Sequence, residues 1–127
     1  MKTILVDAIN GLILEDGTIF GEMYNMLETY KNPKIVLTGA NDEQWDKFNL
    51  DASPYEVFTL KHDPEKADPK YFETLLDRYH LTPDSVIYFE HNIVAVETAM
   101  SIGIVAYHYD DKKQDVAALK AFIDSNL

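Results

Sequence analysis

Five short apolar runs recur along the chain, Thr3 to Val6, Lys34 to Leu37, Val57 to Leu60, Val86 to Phe89 and Ile104 to Tyr107, none with the polar alternation of a half-solvated strand. Unbroken runs of this length suit strands covered on both faces, as in parallel sheets. Between them apolar residues fall at helical spacing: Met23, Leu27 and Tyr30, then Tyr71, Phe72, Leu75, Leu76 and Tyr79, then Val116, Leu119, Phe122 and Ile123. Asp68-Pro69 supplies a helix cap and a first-turn proline, Asn92 can cap the next helix, and Gly103 can close it in a left-handed conformation. Strands alternating with helices predict an α/β domain, a mostly parallel five-stranded sheet with helices on both faces and right-handed crossovers. In such sheets ligands bind beyond the carboxyl ends of the strands.

A chain of 127 residues is the size of one domain, and residues 1–127 are read as a single one. No stretch approaches the roughly 20 apolar residues of a membrane-spanning helix, so a membrane is not an expected partner. The start of the chain is a buried strand rather than a secretory segment, because Asp7 interrupts the apolar run and no small-residue cleavage site follows. The absence of cysteine removes disulfides, thiolate metal sites and a cysteine nucleophile, and it fits a cytoplasmic location. The net charge of −11 argues against nucleic acid, whose affinity for proteins comes from lysines and arginines on phosphates.

Chemistry-bearing residues cluster at predicted strand ends. Asp7 ends the first strand, Thr38-Gly39 the second and Glu90-His91 the fourth, while Lys66 precedes the helix that starts at Asp68-Pro69. After Asp7, two apolar runs flank Asp16-Gly17, the pattern of a small β-hairpin. Trp45, Phe48, Tyr55 and Phe58 are read as core, and His80 as a helix-terminal residue satisfied by the dipole, whereas His62 and His108 suggest no partner.

Taken in order, these segments resemble the haloacid dehalogenase (HAD) superfamily over nearly the whole chain. Ile4-Leu5-Val6-Asp7 with its hairpin resembles the first motif, a strand ending in the nucleophile and continuing into a flap. Ile35-Val36-Leu37-Thr38-Gly39 is similar to the second motif. Lys66-Ala67-Asp68-Pro69, the helix after it, the strand from Val86, Glu90-His91 and Val96-Glu97-Thr98-Ala99 are similar to the remaining motifs. The resemblance implies a capless, three-layer Rossmann-like core with strand order 3-2-1-4-5. It also implies a phosphatase site. Asp7 would be the nucleophile, Thr38, Gly39 and Lys66 would hold the phosphoryl group, and Mg²⁺ would sit on Asp7, the Ile9 backbone carbonyl and Glu90. Such an ion would neutralise the repulsion between a carboxylate and an anionic ester.

The chain departs from the family pattern at the chemistry itself. The family's general acid stands two residues after the nucleophile, where this sequence has Ile9; a one-residue bulge would put Asn10 there instead, and neither transfers a proton. His91 replaces an acid in the fourth motif, and it suits transition metals better than Mg²⁺. The expectation is therefore a phosphohydrolase-type domain with impaired or lost catalysis, retaining weak Mg²⁺ or phosphate-ligand binding. The alternatives are an active Mg²⁺-dependent phosphatase using Asp7, and a protein–protein interaction module. A phosphorylated small molecule or protein is the expected partner, and a second copy of the chain could cover the open site.

Overall fold

A computed structural model describes residues 1–127. Its elements run β1 (Thr3–Asp7), α1 (Gly21–Leu27), β2 (Lys34–Thr38), α2 (Asp42–Lys47), β3 (Glu56–Thr59), α3 (Pro69–Arg78), β4 (Val86–Glu90), α4 (Ile93–Ser101), β5 (Val105–His108) and α5 (Val116–Asn126). The sheet is five-stranded with order β3-β2-β1-β4-β5. Every pairing is parallel, and Asp7 stands opposite Leu37 in the register of β1 with β2. This is the expected α/β, Rossmann-like topology.

The unbroken apolar strands follow from two separate cores. Ile4, Val6, Val36, Ile87 and Phe89 face one layer, where they meet Met23, Leu27, Leu119 and Ile123 from α1 and α5. Leu5, Leu37, Phe58 and Tyr88 face the other, against Tyr71, Phe72 and Leu75 of α3. Alternate side chains of one strand thus enter opposite cores, and neither face tolerates a polar repeat. The punctuation holds as well. Asp68 accepts from the Lys70 N–H, Asn92 accepts from the Val94 N–H, and Gly103 has φ +93°.

Two expectations need correction. The segment after β1 is only a rudiment of a hairpin: an antiparallel bridge pairs Ile13 with Ile19 around the turn at Gly17, and no strand forms. A two-stranded ribbon is marginal without further packing, and this one lies outside the five-stranded sheet. Of the four aromatic residues assigned to the core, only Phe58 is buried; Trp45, Phe48 and Tyr55 pack against the core margin and stay partly exposed. Trp45 can do so because its indole N–H donates to Asp51 Oδ1 at 2.8 Å.

Candidate functional site at the carboxyl edge of the sheet

Because β1 lies between β2 and β4, the residues that end these three strands meet. Asp7 and Glu90 are each 1% exposed, and Thr38 is 4% exposed. The Lys66 ammonium reaches over them from the loop before α3, 3.2 Å from Asp7 Oδ1 and 2.7 Å from Glu90 Oε1. Asp7, Ile9, Thr38, Gly39, Lys66 and Glu90 all border one cleft of about 430 Å³. The six predicted site residues are thus brought together.

Main chain fixes Asp7 on the side of the loop that follows it. The Asp7 carbonyl accepts from the Leu12 N–H at 3.0 Å, and Gly11 comes so near that a Cβ there would lie 2.4 Å from that carbonyl oxygen. Asn10 makes the turn in a left-handed conformation, φ 69°, which asparagine tolerates better than most residues. Ile9 borders the cleft and Asn10 does not, so the cleft position two residues after Asp7 is held by isoleucine. The Ile9 carbonyl receives no main-chain N–H.

On the β2 side of the cleft, Thr38 Oγ1 accepts from the Ala40 N–H at 3.1 Å, which leaves the hydroxyl proton free for another acceptor. Tyr71 pins the strand end by donating to the Thr38 carbonyl at 2.8 Å. His62 lies near Gly39, where a Cβ would come within 3.3 Å of its Nδ1, and it pairs with Glu65 at 2.8 Å.

The carboxylates of Asp7 and Glu90 are fully engaged by the protein. Asp7 Oδ2 accepts from the His91 N–H at 3.0 Å and also meets the His91 ring Nδ1. Glu90 Oε1 accepts from Tyr88 Oη as well as Lys66. Glu90 Oε2 accepts from the Asn92 N–H at 3.1 Å and lies 3.2 Å from His91 Nδ1. Burial alone would raise the Glu90 pKa, but the Lys66 charge and the His91 hydrogen bond outweigh it and hold the carboxyl well below its ordinary value. Burial and the neighbouring Glu90 charge push Asp7 up, against Lys66 and His91. Hydrogen bonds to Asp7, then to Glu90, raise His91 to about 10. Burial would lower the Lys66 pKa, yet the charges of Glu90 and Asp7 keep it above the usual lysine range. Two carboxylates thus face the Lys66 ammonium and the His91 ring in one buried cluster.

That balance decides how the residues suit a divalent ion. Asp7, Glu90 and His91 offer ligand atoms within 4.8 Å of one another, and carboxylate oxygens are the donors that Mg²⁺ takes. However, each of the four carboxylate oxygens already accepts from a protein donor, and two of those donors are cationic groups. As arranged, the pair does not fit a hard dication.

Sequence reasoning missed Tyr88, Tyr71 and His108 as supports of the site. His108 Nε2 bonds the His91 carbonyl at 2.9 Å. Tyr88 was legible: it stands two residues before Glu90 on a strand, hence on the same face.

No family model and no curated protein matches this sequence. Among solved structures the fold is similar to an aspartate-to-alanine mutant of a HAD family enzyme of Bacteroides thetaiotaomicron in complex with magnesium and inorganic phosphate. The identity is 14% over 84% of this chain and 93% of that chain, with TM-score 0.61. Of the wild-type enzyme in the same complex it covers 50%, at 18% identity and TM-score 0.57. It is also similar to the core domain of a candidate phosphoglycolate phosphatase of Streptococcus pneumoniae, at 18% identity over 98% of this chain and 96% of that one, TM-score 0.63. At these identities the likeness speaks to fold, and the chain has the HAD-like fold.

Proposed function

We propose that this chain is a HAD-like phosphohydrolase-type domain that holds a phosphate monoester between Thr38, Gly39 and Lys66, and whose catalysis is impaired for lack of a proton donor. The observation that carries the reading is one cleft bordered by Asp7, Thr38 and Lys66 with Ile9 beside them. Attack of the Asp7 carboxylate on phosphorus would form an aspartyl phosphate and expel the ester oxygen, which needs a proton as it leaves. Ile9 has none to give, and Lys66 and His91, both held above their ordinary ranges by the carboxylates they face, are poor acids at neutral pH. Only the short segment with α1 separates β1 from β2, so the open cleft suits the phosphate of a small molecule or of a protein. Mg²⁺ binding at Asp7, the Ile9 carbonyl and Glu90 would be weak, because an ion must compete with protein donors.

An active Mg²⁺-dependent phosphatase is the second reading, favoured by the magnesium and phosphate in the Bacteroides thetaiotaomicron enzyme. The Ile9→Asp variant tests the missing acid. It should raise turnover of an alkyl phosphate by about tenfold or more, part of the ~10²–10⁴ that a general acid supplies. No gain in a variant that folds and still binds phosphate overturns the missing-acid account.

A further inference from the structure

The ring of His91 occupies the ground between the two carboxylates. Its Nδ1 meets Asp7 Oδ2 and lies 3.2 Å from Glu90 Oε2, so it stands between the oxygens that an ion bridging Asp7 and Glu90 would use. Its backbone is anchored twice: the His91 N–H donates to Asp7 at 3.0 Å, and its carbonyl accepts from His108 at 2.9 Å. The side chain is less confined, being 29% exposed and bordering the cleft. Rotation about the side-chain bonds would therefore move the ring toward solvent while the backbone of β4 and α4 stays in place.

We propose that His91 is a built-in plug of the Asp7–Glu90 site: its ring fills the position of a divalent ion, and an ion enters only by displacing it. The inference rests on the phosphatase-like reading of the site, and deepens it by naming the residue that sets its metal dependence. The physical argument is competition. An ion that binds only the conformer with the ring swung out has its affinity reduced by the fraction of molecules in that conformer, and removing the ring abolishes the loss. Lys66 remains in every case as the cation that balances Glu90, 2.7 Å away.

The test is calorimetric titration of Mg²⁺ into the wild type, His91→Ala and His91→Asp, with inorganic phosphate titrated into the same proteins and into Lys66→Ala. The wild type should bind Mg²⁺ weakly, His91→Ala about tenfold or more tightly, and His91→Asp more tightly still. Unchanged or weaker Mg²⁺ binding in His91→Ala overturns the plug, since His91 would then be a bystander or a ligand. If neither variant folds, the wild-type His91 ring resonances decide: loss of the Asp7 contact at saturating Mg²⁺ supports displacement, and an unmoved ring contradicts it. Phosphate binding retained in His91→Ala and lost in Lys66→Ala with no gain in metal affinity would sink the plug alone. Tighter Mg²⁺ binding with no phosphate binding in any protein would keep the plug and sink the phosphatase-like reading.

Discussion

Asp7 owes its position to a residue with no side chain. The loop after β1 turns back so tightly that the Leu12 N–H reaches the Asp7 carbonyl, and Gly11 lies against the same oxygen. In Gly11→Ala the new methyl would overlap backbone at 2.4 Å, so the loop must move rather than a flexible side chain. Overpacking of this kind costs about 1–3 kcal/mol, and here the strain falls on the backbone and Cβ of Asp7. Denaturant unfolding should show that loss. Phosphate titration should show whether it reaches the cleft: weaker binding is expected, and unchanged stability would contradict the close approach. At the same scale the proposed loss of turnover rests on Ile9, the isoleucine that borders the cleft with Asp7.

Among elements, α3 and β2 are coupled through one hydroxyl. Tyr71 is fully buried, and its hydroxyl donates to the Thr38 carbonyl at 2.8 Å and lies 3.4 Å from that of Phe58. Tyr71→Phe keeps the ring contacts with Phe58 and Phe72 but strands the Thr38 carbonyl. A loss of about 1 kcal/mol is expected from thermal or chemical unfolding, the usual net worth of such a bond. A neutral substitution would mean that the bond does not hold the strand end. The five strands were legible in the sequence because burial on both faces writes itself as an unbroken apolar run, and their ends came with Asp7, Thr38 and Glu90 attached. Helix α2 was not legible, since Asp42–Lys47 buries no residue and so has no apolar period to read. Its capping box, Asn41 with Gln44, was the available signal. The site residues were legible by type, and Tyr88 by its place two residues before Glu90, whereas the bonds from the His91 ring and from the His91 and Asn92 main chain are defined only by the folded chain.

For the whole molecule, strand order does the work of assembly. With β1 flanked by β2 and β4, three strand ends and the loop before α3 converge without any element crossing the edge, and no helix is long and apolar enough to cross a membrane. The net charge of −11 works against polyanion binding, whereas the cleft presents the Lys66 ammonium and the Thr38 hydroxyl at one edge of the sheet. The central claim is that this cleft binds phosphate monoesters yet lacks the proton donor that turnover needs. It is tested most directly by the steady-state rate of the wild-type chain on an alkyl phosphate set against that on an aryl phosphate. The account predicts slow aryl turnover, because that leaving group needs little protonation, and alkyl turnover lower by about 10² or more. Alkyl hydrolysis at ordinary enzymatic rates, of order 1–10³ s⁻¹, would contradict it.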